Sequence, residues 1–206
     1  MSGKDLEQHI TWTNNLNERL NAGSRYFTEF GFNANGNLIY TSDEVKNITR
    51  YSCDTPVFPT WKEATTEEYV KPLGSGYNQW AANPRFTYTG KCAFFDPLNK
   101  FFANTTNRDA VGLVSHTFTH LDHNDATYHD ANLEIVFNLK YAELLNFTNA
   151  ARFSGSGLIS PAISGLHNGD VLRAWANNGL WHAMGDNTRP KLRNLVSSTP
   201  ECYNSY

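Results

Sequence analysis

From residue 111 to residue 185 the chain alternates short apolar runs with segments of helical period, and this alternation restricts its fold more than any other feature. Residues 111–115 read as a short buried strand. Residues 128–147 read as an amphipathic helix, with Leu133, Val136, Leu139, Lys140 and Leu144 near helical spacing. A second short strand is predicted over 157–161, and a helix carrying Val171, Leu172 and Trp175 over 170–178. Gly179 is placed to stop that helix, and 180–185 reads as a third strand. Strand, helix, strand, helix, strand is the order of an α/β protein with a largely parallel sheet. Ligands of such sheets sit beyond the carboxyl ends of the strands. His116, Pro161 and Asp186 all fall just past predicted strand ends, so three loops can converge on one site.

The first half of the chain is less regular. Leu6, Ile10, Leu16 and Leu20 form an apolar stripe over 5–20, ended by Gly23, which predicts a helix. The aromatic-rich stretch 25–32 reads as a strand and Asn33-Ala34-Asn35-Gly36-Asn37 as a turn. Pro56, Pro59, Pro72, Pro84 and Gly74-Ser75-Gly76 make 41–90 a loop-rich insertion. With 206 residues and no internal repeat, the chain is expected to form a single domain with a full core.

Chemistry concentrates after the first predicted strand of the alternating half. Four of the seven histidines lie between 116 and 129, and His116 and His120 are four residues apart. One turn of loop or helix after the strand can bring both side chains to a metal, on a helix by sharing one face, and neutral imidazole is a ligand that zinc favours. Asp122 and His123 are further ligand-capable groups, or caps of the next segment; His129 reads as a surface residue at a helix start. The bland alternative is a purely structural histidine pair.

Composition excludes several classes. A net charge of -3, with no basic patch interleaved with aromatics, removes the electrostatic footprint of a nucleic-acid partner. No stretch reaches the roughly 18 consecutive apolar residues of a membrane span. The sequons at Asn47, Asn104 and Asn146 are glycosylation candidates if the protein is secreted. Cys53, Cys92 and Cys202 allow a Cys53–Cys92 disulfide with one cysteine left over, or three free thiols. No Cys-x-x-Cys pair exists, which excludes a zinc ribbon. The tryptophans Trp12, Trp61, Trp80, Trp175 and Trp181 can stack on sugar rings, but most of them read as core.

The order Ser115-His116-Thr117-Phe118-Thr119-His120, then a long helix, then Leu158-Ile159-Ser160-Pro161, resembles the NodB-type polysaccharide deacetylases. Within that group, residues 116–128, 159–170 and 185–190 are similar to the fungal extracellular deacetylases of galactosaminogalactan. The resemblance spans most of the chain and implies a partial, deformed (β/α) barrel. It implies that His116 and His120 are ligands of a divalent metal, zinc above all. Asp186 is then the acid-base candidate, and Pro161, Asn187 and Arg189 line the substrate groove. Three departures stand out. The family's Asp-Asp motif, which supplies a metal ligand and the base, has no counterpart, and the later Leu-x-His motif is not recognisable. Nor does an Arg precede Pro161 at the family's spacing. The expectation is therefore an incomplete catalytic domain, opening on the helix after the missing strand. Its complete protein would act outside the cell or in the cell wall, hydrolysing the N-acetyl groups of an N-acetylated amino-sugar polysaccharide. A non-catalytic, degenerate carbohydrate-binding relative is the alternative.

Overall fold

The computed structural model describes residues 2–45, 53–58 and 70–185. Asp186, Asn187, Arg189, Asn47, Trp61, Pro59 and Cys202 lie outside them. Helix α1 (Gly3–Asn17) leads to strand β1 (Glu29–Phe32) and helix α2 (Ala34–Val45). Two short helices, α3 (Pro97–Ala103) and α4 (Thr105–Asp109), precede strand β2 (Gly112–Ser115). Helix α5 (Tyr128–Leu144), strand β3 (Phe153–Ile159), helix α6 (Gly169–Asn177) and strand β4 (His182–Met184) complete the order. The four strands form one sheet in the order β1-β2-β3-β4, every neighbouring pair parallel. This is the α/β class and parallel sheet that the alternation predicts, with four strands among the described residues.

Side chains of the sheet alternate between its faces. Leu113 joins the larger apolar cluster with Leu6, Leu38, Phe102, Phe137 and Tyr141, and Ser115 meets Asn138 of α5, so one face packs on helices. A second cluster, with Leu121, Ile135, Leu158, Val171 and Trp175, joins β3 to α5 and α6. The other face carries a cavity of about 430 Å³ lined by Glu29, Val114, Ser154, Ile159, His182 and Met184.

Four local features correct or add to these expectations. Residues 33–37 do not form a turn: Asn33 Oδ1 accepts from the Gly36 amide at 2.8 Å, and 34 onward is helix α2. The turn-forming residues are a cap and a first helical turn, held because the Ala34 amide donates to Asn138 on distant α5. Second, Asp96-Pro97 starts a helix. Asp96 Oδ1 accepts from the Leu98 amide at 2.9 Å, and proline suits the first helical position. Third, helix α5 buries a different side from the one its leucines mark. Leu133 and Val136 are half-buried and Leu144 is exposed, whereas Asp130, Glu134, Ile135, Asn138 and Tyr141 are buried. Fourth, Trp12 and Trp181 are 54% and 69% exposed, so only Trp80 and Trp175 of the described tryptophans are core.

Of the two cysteine alternatives, the structure has the Cys53–Cys92 disulfide, which closes a sequence separation of 39. The segment 70–90 contains no helix or strand. Buried carboxylates hold it down. Asp170 accepts from Lys71 Nζ and from the Gly74 amide, both at 2.7 Å, and Asp130 accepts from the Gln79 and Trp80 amides.

Candidate metal-binding histidine pair

Strand β2 hands over to the site through one more ladder bond, from the His116 amide to the Phe32 carbonyl at 2.9 Å. The chain then leaves the sheet in a loop and does not continue as a helix. Thr117 (φ 59°) and His120 (φ 62°) both take the left-handed conformation, rare for residues with a Cβ and rarer still for a β-branched threonine. Between them, Phe118 is wholly buried among the core aromatics, and its carbonyl accepts from the Asn35 amide. Asn33 Nδ2 donates to the Thr117 carbonyl at 2.9 Å. The loop thereby turns back on itself. The rings of His116 and His120 meet with centroids 4.7 Å apart at 76°. The two histidines come together through a doubly left-handed loop, the loop alternative and not the helical one.

Both imidazoles are half-buried. His116 Nδ1 lies 2.9 Å from the Ile159 carbonyl, which can only accept. The bond therefore places the proton on Nδ1 and leaves the Nε2 lone pair free, the arrangement a backbone carbonyl commonly imposes on a metal-bound histidine. The pKa of His120 is lowered, by burial first and by the neighbouring His116 second. Two imidazole nitrogen donors side by side suit zinc, which takes imidazole at about 2.0–2.1 Å in tetrahedral sites. The fit is partial. Among the described residues no group of three or more His, Cys, Asp or Glu side chains could hold a metal, so the pair supplies two ligands without a carboxylate.

The nearby ligand-capable residues do other work. Asp122 Oδ1 accepts from the Asn124 amide at 2.7 Å, the cap alternative, and burial raises its pKa. His123 is wholly buried against Trp175, ring centroids 5.8 Å apart. Burial, followed by the neighbouring His120 and His116, pushes its pKa down to about 3, so it stays a neutral core imidazole. His129 binds the Ala81 carbonyl at the start of α5. Pro161 is buried in the loop after β3, two residues beyond the carbonyl that orients His116, and there Ala162 and Ile163 also have positive φ. The loops after β2 and β3 interlock: the His123 amide donates to Ser164 Oγ, the Gly165 amide to Asn124 Oδ1, and Asn168 Nδ2 to the carbonyls of His123 and Ala126. Of the sequons, Asn104 and Asn146 are exposed.

The supporting residues are those that sequence reasoning passes over. Gly31 is one: a Cβ there would lie 3.0 Å from His116 Cβ and 3.1 Å from Ile159 Cδ1, so the absent side chain leaves room for the imidazole. Gly31→Val is expected to destabilise the protein by roughly 1–3 kcal/mol through overpacking and to weaken zinc binding. Gly155→Ala, whose nearest neighbour atom is 3.8 Å from the added Cβ, serves as the control and leaves both unchanged. Isothermal titration with Zn²⁺ and thermal melts measure the two effects; equal zinc affinity in both variants would contradict the steric role.

Comparison with known proteins places these features. The profile of a family described as the Agd3 deacetylase domain matches residues 1–203. A search of curated proteins finds no match. Among solved structures, the crystal structure of Agd3, described as a novel carbohydrate deacetylase, superposes with a TM-score of 0.85 at 38% identity. The match covers 95% of this chain and 30% of that one, so the chain spans less than a third of the similar protein's length. These agree with the resemblance carried by the His116 and Pro161 segments. The chain belongs to the Agd3 deacetylase domain family.

Proposed function

We propose that this chain carries the metal-binding half of a site that hydrolyses N-acetyl groups from an N-acetylhexosamine polysaccharide, releasing acetate. The observation that carries the reading is the His116–His120 ring pair, with the Ile159 carbonyl holding the protonated Nδ1 of His116. The two imidazoles would hold a divalent metal, zinc by the nitrogen donor type. When bound it supplies electrophilic polarisation of the acetamide carbonyl and a more acidic water. The chain's own residues prepare for this. Ile159 fixes the tautomer of His116, and burial holds His120 in its neutral, ligating form. Asp186 is the candidate to move protons between water and the departing amine, and Pro161, Asn187 and Arg189 are candidates to line the sugar groove. The water oxygen becomes part of acetate, and the polymer keeps a free, cationic amine. The sequons at Asn104 and Asn146, both exposed, support a secreted glycoprotein acting in the extracellular matrix or cell wall. No helix among the described residues is long and apolar enough to cross a membrane.

The test is acetate release from an N-acetylgalactosamine-containing polymer by the full-length protein, before and after dipicolinate treatment and after zinc return. Release that the chelator stops and zinc restores is expected. Release indifferent to the chelator sinks the metal part of the reading. The sequence contains no Asp-Asp pair, and a degenerate carbohydrate-binding protein is the second reading on that ground. Polymer binding without acetate release, at any metal loading, is its signature.

A further inference from the structure

Helix α5 presents Asp130, Glu134 and Asn138 at intervals of four, all wholly buried on the side that meets the sheet ends. That spacing lines them along one helical face. Buried charge is costly unless fully hydrogen-bonded, and each of the three is engaged. Asn138 ties the carboxyl ends of β1 and β2 together: Nδ2 donates to the Phe32 carbonyl and to Ser115 Oγ, at 2.8 and 2.9 Å, and Oδ1 accepts from the Ala34 amide. Asp130 takes the amides of Gln79 and Trp80. Glu134 sits between them. Its Oε2 accepts from the Thr119 amide at 2.7 Å, and its Oε1 accepts from the Thr119 hydroxyl and from Trp80 Nε1 at 3.0 Å.

Thr119 is the residue immediately before His120, inside the doubly left-handed loop. We infer that Glu134 is a positioning residue for the histidine pair: by gripping the amide and hydroxyl of Thr119 it holds the turn that returns His120 to His116. Trp80 extends the grip to the 70–90 segment, so that segment and the pair share one buried carboxylate. The inference rests on the reading of the pair as metal ligands, and a ring-to-ring measurement tests it independently of any metal.

Glu134→Gln keeps the shape but turns one acceptor into a donor that must face a donor already present. In the full-length protein, the variant is expected to lose the cross-relaxation between the His116 and His120 rings seen by NMR with labelled histidine. It is also expected to bind Zn²⁺ more weakly, by up to roughly the 10- to 100-fold lost when a group bonded directly to a metal ligand is removed. Adding Trp80→Phe removes the opposing indole N–H and restores part of both signals. A general structural role would instead make the two losses add. If Glu134→Gln does not fold, Thr119→Val, which deletes the hydroxyl and keeps the volume, carries the same expectation in weaker form. A folded variant with an unchanged ring-to-ring signal overturns the positioning role. A wild-type protein that shows the signal but binds no zinc overturns the metal reading alone.

Discussion

His116→Ala and His120→Ala are each expected to abolish stoichiometric zinc binding and acetate release while leaving the protein folded. The two rings lie at the edge of the packed interior, half-exposed, and the core of their loop is Phe118, which neither substitution touches. For His116 the structural loss is one hydrogen bond, to the Ile159 carbonyl, worth about 1 kcal/mol net. The chemical loss is much larger. Tetrahedral zinc sites use three or four protein ligands, and these two are the nitrogen donors that the described residues bring together. Metal analysis of the dialysed protein, paired with acetate assay and a thermal melt, separates the two kinds of effect. Near-normal melting with no metal and no acetate is the expected pattern. Should either alanine variant keep wild-type zinc and activity, the pair is structural and the proposed site is elsewhere.

Lys71→Met is expected to cost about 3–5 kcal/mol, the range for breaking a buried pair from one side. Lys71 Nζ is wholly buried and meets Asp170 Oδ2 at 2.7 Å, with the Ser75 carbonyl accepting at 2.9 Å. Removing the ammonium leaves the Asp170 carboxylate buried, with the Gly74 amide and the exposed Arg173 as its remaining partners. Lys71→Met with Asp170→Asn removes the stranded charge and is expected to recover much of the loss. Urea unfolding of wild type, single and double variants measures this; a double variant as unstable as the single one would rule out the charge argument. The pair also sets a pH dependence. Burial opposes the charge of Asp170, but the hydrogen bonds from Lys71 and Gly74 more than offset it, and the pKa falls below its ordinary 3.8. A carboxylate lowered in the folded state stabilises fully above its unfolded pKa and loses that contribution as pH drops through the folded one. The wild type therefore loses this increment as the pH falls below about 4, and Lys71→Met lacks the share of it that Lys71 supplies.

Much of the architecture is legible in the chain itself, because strands β2, β3 and β4 and helices α5 and α6 carry their own punctuation: apolar runs bounded by Gly179, Pro161 and the polar stretch after His116. Where local pattern and long-range partner disagreed, the partner won. Residues 33–37 have every mark of a turn, yet Asn138, about a hundred positions away, accepts from the Ala34 amide and starts α2 there. Helix α5 shows the same effect on a larger scale. Its leucines mark one face, and burial selects another, because Asp130, Glu134 and Asn138 find hydrogen-bond partners inside that no periodicity reveals. A polar side chain at a spacing of four reads as solvent-facing until its acceptor or donor is known.

The histidine pair divides in the same way. His116 and His120 are visible in the sequence as ligand types at a suggestive spacing, and so is the parallel α/β frame that puts them beyond a strand end. That they meet at all depends on contacts across the fold. Thr117 and His120 must hold left-handed conformations that neither residue prefers, and Glu134, Asn33 and the buried ring of Phe118 enforce them. The Ile159 carbonyl and the bare backbone of Gly31 then set the tautomer and the space for one imidazole. Residue chemistry and hydrophobic period are local properties, readable one segment at a time. Loop conformation and the partners of buried polar groups are set by atoms distant in sequence, so they exist only once the chain has packed.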